Sequence, residues 1–373
     1  MPNVASLVTG TSVGKHGIYG DVIFDRETWT EALADPRAMG VSSAVVELSH
    51  RMPLALYTNS PRLYDFVADG RRDRSAARAP HPTSFAAGVN EAIDPDDLRL
   101  DAERETMAGP GAGAAIDDGD LVAAATLDFL GAASKAHLGL VVTDGGVLCK
   151  GEPASERVLA LMAKLDAAVA GARAAGTEVV LTGLYASTIK SGYDHTPQVT
   201  DLSEVLLRDA GLDRDRAMVV TPEAAGEHLA SFAQVFLSPS ARGDGDLEAR
   251  AHAALNAAPG VISVLRGDRL AAMLGRPGDP GAVGDFGVIG LATVFADGSG
   301  DERGSAEAPS PFRGAAGLDP MQQILNASYR GGGGIDAPAV PLLTSFPLGY
   351  EAEKRLNTGS MWLHHVLAAT LNS

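Results

Sequence analysis

The strongest constraint on the fold is a strand–helix–strand pattern between residues 137 and 182. An apolar strand, His137–Thr143, is followed by a helix over 153–175 and by a second apolar strand, Glu178–Thr182. The helix repeats apolar residues at i, i+3, i+4 and i+7, and Gly176 stands where a helix C-cap glycine is expected. The order predicts a right-handed crossover unit of a parallel sheet in an α/β protein. Because ligands bind beyond the carboxyl ends of such strands, Asp144 and the segment Gly183–His195 are predicted to lie side by side.

Other segments are assigned from their periodicity and from flanking turn residues. On the N-terminal side, the sequence predicts strands Val4–Val8 and Ser42–Leu48, and helices over 27–39, 61–69 and Asp120–Ala132. Residues 223–298 are predicted to form a small α+β module with strands Ser231–Leu237, Val261–Leu265 and Phe286–Leu291 and helices Asp246–Ala257 and Asp268–Leu274. A strand Val340–Thr344 and a closing helix over about 358–371 complete the chain.

The charge excludes two classes of partner. The formal net charge is -17, and the basic residues form no stripe, so binding to nucleic acid or to an anionic membrane is not expected.

No apolar stretch approaches the ~20 residues of a membrane span, and Met1–Gly10 lacks the features of a signal peptide. The single cysteine, Cys149, cannot form an internal disulfide and fits a reducing, cytoplasmic location.

Five segments, taken in chain order, resemble those of phosphonoacetate hydrolases. The segment Pro2–Gly20 (PNVASLVTGTSVGKHGIYG) resembles the family segment after the nucleophile, and VVTD ending at Asp144 resembles a metal-ligand strand. EVVLTG at Glu178–Gly183 resembles the strand that runs into the family A-D-H-G-M motif. HLASFAQVFL at His228–Leu237 resembles the entry to a cap, and GGGIDAPAVPLLTS at Gly332–Ser345 resembles the C-terminal H-G-G segment.

This resemblance implies a fold and a domain division. It identifies the chain as similar to the alkaline phosphatase superfamily, in the branch of phosphonoacetate hydrolases and nucleotide pyrophosphatase/phosphodiesterases. The implied fold class is α/β, with a three-layer α/β/α sheet and an inserted small α+β cap. The implied divisions are a core over 1–222 and 299–373 and a cap over 223–298.

The family chemistry uses two zinc ions and a threonine nucleophile, and most of that apparatus is replaced here. The nucleophile position falls before Met1, and so does the first strand with its early aspartate ligand. Of the expected ligands only Asp144 is retained, while the other aligned positions hold Leu148, Leu184 with Tyr185, and Gly332. The sequence therefore predicts no metal and no cofactor.

The remaining polar residues suggest a site of another kind. Asp144, Tyr185, Lys190 and His195 are the predicted catalytic residues, because His–Asp or Tyr–Lys pairs can supply acid/base catalysis without a metal. Arg51, His16 and Gly332 are the predicted substrate-binding residues, with Arg51 near the position of family lysines that hold the substrate carboxylate. The alternatives are an ordinary polar loop, a solvated Arg51 and a His16 that only shapes its loop.

Three functional hypotheses stay open. The first is a zinc-free, repurposed enzyme or binding protein for a small anionic metabolite, of a kind that suits a specialised biosynthetic pathway. The second is a non-catalytic scaffold that pairs with a second copy or with an enzyme partner. The third is a residual metal-dependent hydrolase of phosphonates or phosphodiesters.

Overall fold

The computed structural model describes most of the central region and of the predicted cap, and shorter stretches elsewhere. The described residues are 2–45, 54–58, 63, 66–67, 83–86, 118–131, 136–143, 156–183, 188–189, 199–221, 229–275, 280–291, 293–296, 330–332 and 342–347.

Within these residues the chain alternates helices and strands. The helices are α1 (Pro2–Thr9), α2 (Val13–His16), α3 (Asp118–Leu130), α4 (Glu156–Ala174), α5 (Leu202–Val205, continued by a π-helical turn Leu206–Ala210), α6 (Gly245–Ala257) and α7 (Gly267–Met273). The strands are β1 (Val22–Asp25), β2 (Thr30–Leu33), β3 (Leu54–Thr58), β4 (Thr83–Ala86), β5 (Leu138–Val142), β6 (Val180–Thr182), β7 (Thr188–Ile189), β8 (Val199–Asp201), β9 (Ala217–Val220), β10 (Leu229–Ala230), β11 (Phe232–Leu237), β12 (Val261–Arg266), β13 (Phe286–Gly290), β14 (Val294–Ala296), β15 (Arg330–Gly332) and β16 (Leu342–Thr344). Short 3₁₀ turns lie at Pro36–Ala38 and Pro280–Ala282.

A parallel sheet with helices on both faces forms the first core. Its strand order is β4-β3-β5, and both pairings of β3 are parallel. All five residues of β3 are buried, as expected for a strand covered on two sides. Ala55 and Tyr57 pack in one cluster with α3, whereas Leu54 and Leu56 pack in another with α1. The three-layer α/β/α arrangement predicted from the sequence is therefore present here.

The first predicted strand, Val4–Val8, is wrong, because these residues lie in helix α1. Val4, Ala5, Leu7 and Val8 are buried, which is the i, i+3, i+4 spacing of one helix face. A five-residue apolar run is too short to distinguish the periodicity of a helix from that of a strand, and here burial against β3 favours the helix.

Two further N-terminal predictions are corrected. The predicted helix over 27–39 is instead a hairpin turn, strand β2 and the 3₁₀ turn Pro36–Ala38; β1 pairs with β2 from Val22↔Leu33 to Asp25↔Thr30. The described part of the predicted strand Ser42–Leu48 is residues 42–45, of which 42–43 are irregular and 44–45 are helical. The physical reason in the second case is an N-cap, because the Ser43 hydroxyl accepts a hydrogen bond from the Val45 amide at 3.1 Å.

The central elements confirm the sequence prediction. Helix α4 and strands β5 and β6 fall within the predicted ranges, whereas α3 begins at Asp118, two residues before its predicted start. The described residues of 61–69 are helical. Gly176 has φ +80°, and the amides of Gly176 and Thr177 donate to Arg173 O and Ala172 O, which is a Schellman cap. The recorded partner of β6 is the antiparallel strand β16, while β5 pairs with β3, so the predicted crossover between β5 and β6 stays a prediction.

The predicted α+β module is observed element by element. Its antiparallel sheet has the order β12-β13-β11-β9, and helices α5 and α6 share its apolar core. The edge strand β9 lies before residue 223, so the sheet extends beyond the predicted start of the cap. The domain division itself stays a prediction. The closing helix over 358–371 lies outside the described residues, and no helix among those described is long and apolar enough to cross a membrane.

Candidate functional site

All four predicted catalytic residues lie outside the part of the chain that the structure describes. They are Asp144, Tyr185, Lys190 and His195, and the predicted substrate-binding residue Arg51 lies outside it too. The strands that lead to the first two are described. Strand β5 ends at Val142, two residues before Asp144, and β6 ends at Thr182, two residues before Leu184. The assignment of these residues to a site stays a prediction.

Gly332 lies in a short sheet that adjoins the segment of Lys190. Strand β15 is the central strand of the order β10-β15-β7, with Gly332 opposite Ala230 and Gly331 opposite Thr188. Strand β7 ends at Ile189, so Lys190 follows it directly. The fold thus brings the backbone of the glycine-rich segment next to the chain that enters the predicted site.

His16 is buried and has a partner at each ring nitrogen. Its Nδ1 accepts a hydrogen bond from the Ile18 amide at 3.1 Å, and its Nε2 lies 2.8 Å from the Ser6 hydroxyl. Because an amide can only donate, Nδ1 carries no proton, and Nε2–H donates to Ser6 Oγ. Burial, and secondarily the positive amino terminus, lower the pKa of His16 from 6.5 to about 4. His16 is therefore neutral at pH 7.

This geometry supports the alternative in which His16 shapes its loop. The side chain has no exposed surface, and it joins α1 to the turn that begins at Gly17. Direct contact with a ligand would require it to leave both partners, so the predicted substrate-binding part of His16 has no support in this conformation.

The loop that carries His16 is packed against the α+β module at two glycines. A Cβ atom built on Gly14 would lie 2.4 Å from the carbonyl oxygen of Gly275, and Gly275 has φ +76°. Each position therefore needs glycine, the first for close backbone approach and the second for its left-handed conformation. This contact fixes the N-terminal loop against the end of helix α7.

A second junction between the N-terminal hairpin and the module was not predicted from the sequence. A cavity of about 280 Å³ is lined by Arg26 and Trp29 of the hairpin and by Leu237, Pro239 and Arg242 of the module. Asp285 pairs with Arg26 at 3.1 Å and with Arg242 at 3.1 Å. The hairpin residues lie more than two hundred positions from those of the module, so no local pattern could have joined them.

Among the described residues, no group of three or more His, Cys, Asp or Glu side chains is placed to hold a metal ion.

Comparison with known proteins identifies the fold. The structure is similar to phosphonoacetate hydrolase from Sinorhizobium meliloti 1021 in complex with phosphonoformate, with a TM-score of 0.70 and 19% identity over 94% of this chain and 80% of that chain. The same enzyme in complex with phosphonoacetate gives a TM-score of 0.69 and 19% identity, with the same coverage.

A human protein shows the same relationship at a greater distance. Ectonucleotide pyrophosphatase/phosphodiesterase 5 gives a TM-score of 0.55 and 13% identity over 93% of this chain and 76% of that chain. No protein-family model and no curated protein sequence matches the chain. On the strength of these structural matches, the chain has the fold of the alkaline phosphatase superfamily.

Proposed function

We propose that this protein binds or transforms a small anionic metabolite by general acid–base chemistry and without zinc. The support for a small anion is the shared fold, because the similar bacterial enzyme was solved with phosphonoformate and with phosphonoacetate. Fold alone does not determine function, so the proposal depends on what stands at the positions of the site.

The observation that carries the proposal is the chemistry of the residues after β5 and β6. Both strands end two residues before the aligned ligand positions, which supports the alignment of Asp144 and of Leu184–Tyr185 with the family ligands. Zinc is bound by thiolate, imidazole and carboxylate groups. Leu148 and Leu184 offer none of these, and Gly332, within β15, has no side chain at all. The donor set does not fit two zinc ions.

The polar residues predicted at the site can supply the separate functions that an acid–base reaction needs. In this proposal Arg51 and Lys190 hold the anion, since cationic side chains make strong charge-assisted hydrogen bonds to carboxylates and phosphonates. Tyr185 and His195 donate or accept the proton, and Asp144 orients or activates the group beside it. The strongly acidic net charge makes such a local cationic pocket necessary for any anionic ligand.

The test is calorimetric titration of the full chain with phosphonoacetate, in buffer with and without a chelator. Saturable binding that survives the chelator is expected. It should weaken about tenfold or more in Lys190→Ala and Arg51→Ala, the loss of a charged hydrogen-bond donor. Arg173→Ala is the matched control, because Arg173 is an exposed arginine of α4 whose removal changes the net charge equally.

Other outcomes point to the alternatives. Binding or hydrolysis that requires added zinc would contradict the proposal and favour a residual metal-dependent hydrolase. Absence of binding, together with a stable complex with a second copy or another protein in native mass spectrometry, would favour the scaffold. Equal binding by Arg173→Ala, Lys190→Ala and Arg51→Ala would show that the anion site lies elsewhere.

A further inference from the structure

The junction between the N-terminal hairpin and the α+β module has the construction of a small ligand site. The hairpin turn places Arg26 and Trp29 beside the end of β11. Asp25 stabilises that turn by accepting from the amide of Glu27 at 2.8 Å. Trp29 has φ +55°, a left-handed conformation that is an outlier for a bulky residue. Backbone strain of this kind clusters at functional sites, which makes the surroundings of Trp29 a candidate site.

Trp29 is held in place by packing and by one hydrogen bond. Its ring packs edge to face against Phe24, with ring centroids 4.9 Å apart. Its indole N–H donates to the carbonyl of Arg214 at 3.2 Å. The polar atom of the indole is therefore used within the protein, and what Trp29 offers the cavity is apolar ring surface.

The guanidinium group of Arg26 makes its hydrogen bonds within the protein. Its guanidinium donates to the carbonyls of Gly281 and Val283, each at 2.8 Å, and to that of Leu237 at 3.2 Å. It also lies 4.7 Å from the centroid of the Phe236 ring. These contacts anchor the hairpin to the module and leave Arg26 few N–H groups that could bind a ligand.

Arg242 is the basic residue at this junction that can still bind a ligand. Its Nε pairs with Asp285 Oδ1 at 3.1 Å, and its side chain is 51% exposed. The described residues provide no partner for its two terminal nitrogens. Asp285 is mostly buried and also accepts from the Leu237 amide at 2.7 Å, so it is a fixed point that orients Arg242. Arg26 and Arg242 share the carboxylate of Asp285, so these three groups together carry one net positive charge.

We propose that this cavity binds a small aromatic carboxylate, with its ring against Trp29 and its carboxylate on the terminal nitrogens of Arg242. The paired N–H groups of a guanidinium match the two oxygens of a carboxylate. Trp29, Leu237 and Pro239 supply the apolar surface for a ring, and a volume of about 280 Å³ can hold a single small ring system. The net charge of -17 disfavours polyanions at the same place.

The site is separate in composition from the one proposed above. None of its residues is among the predicted catalytic or substrate-binding residues, so the two proposals can fail independently. The experiment uses the full chain with Trp362→Phe, which leaves Trp29 as the single tryptophan and makes its fluorescence a specific reporter.

Benzoate is the probe, and benzamide and acetate are the controls that lack the charge or the ring. Saturable quenching of Trp29 by benzoate is expected, with a Kd on the order of 1 mM for so small a ligand. Benzamide and acetate should bind about tenfold more weakly or not at all. Arg242→Gln should weaken benzoate binding about tenfold and Arg242→Lys should weaken it less, because lysine keeps the positive charge but lacks the paired N–H groups of a guanidinium.

Arg250→Gln is the matched control, since Arg250 is an exposed arginine of α6 with the same charge. It should leave benzoate binding unchanged, and an unchanged melting temperature of Arg242→Gln would show that this variant is folded. No saturable quenching at about 20 mM benzoate, about twenty times the expected Kd, would overturn the proposal. Equal weakening by Arg250→Gln, or loss of the signal in Lys190→Ala, would also overturn it.

Discussion

Acidification should destabilise the protein through His16. The imidazole is buried, and its Nδ1 accepts from the Ile18 amide, so it can bind a second proton only by giving up that hydrogen bond. Its pKa is lowered to about 4 in the folded protein, from an ordinary value of 6.5. Between these values the unfolded chain binds a proton that the folded chain does not. Stability is therefore complete above pH 6.5, falls as the pH drops toward 4, and loses nothing more from this group below that.

The magnitude follows from the shift. At about 1.4 kcal/mol per pKa unit, the displacement from 6.5 to about 4 corresponds to a loss of about 3 kcal/mol when both states are protonated. About 2 kcal/mol of this should be lost by about pH 5. That is a large part of a typical unfolding free energy of about 5–15 kcal/mol.

The assay is urea unfolding followed by circular dichroism at about pH 7.5 and pH 5, for the natural sequence and for His16→Gln. Other groups titrate too, so the informative quantity is the difference between the two proteins. At the higher pH His16→Gln should be less stable by about 1–3 kcal/mol, because the buried Ile18 amide loses its acceptor. At the lower pH that difference should shrink by about 2 kcal/mol. A difference that is the same at both pH values would refute the assignment of a buried, neutral His16.

Five further substitutions test the packing and the orientation of Arg242. Gly14→Ala should lower the melting temperature, at a cost of about 1–3 kcal/mol, because its Cβ would overlap Gly275 O; an unchanged melting curve would contradict the loop contact. Gly171→Ala is its control and should raise stability by about 0.5–1 kcal/mol, since this α4 position has open space around it. Phe236→Ala should cost about 3–5 kcal/mol in urea unfolding, whereas the 56%-exposed Leu207→Ala should change little. Asp285→Asn should cost about 1–3 kcal/mol and weaken benzoate binding at Arg242, and an unaltered affinity would show that Asp285 does not orient it.

The elements that the sequence predicted correctly are those with a long, local signal. Helix α4 has a repeating apolar face and a glycine cap, and both are properties of neighbouring residues. The strands and helices of the α+β module likewise have clear local patterns in the sequence. Helix α1 was mistaken for a strand because its apolar run is short and its burial is decided by β3, a distant segment. The hairpin was mistaken for a helix because its Ala- and Glu-containing residues favour helices, whereas Val22 and Phe24 pack against β9 and β11.

The candidate sites show the same limit. The assignment of a site to the positions after β5 and β6 rests on the rule that ligands bind at strand ends in this class of fold, and it stays a prediction. The junction of Arg26, Arg242 and Asp285 could not, because its geometry exists only once the hairpin docks on the module. The buried state of His16 also depends on its distant partners, Ser6 among them.

The central proposal is that this protein acts on a small anion without the two zinc ions that the family resemblance implies. The most direct test is the metal content of the protein purified without chelator, measured by elemental mass spectrometry beside hydrolysis assays on phosphonoacetate and a phosphodiester. We predict no stoichiometric zinc and no turnover, with or without added zinc. About two zinc ions per chain accompanied by hydrolysis, the composition of a two-metal site, would contradict the account.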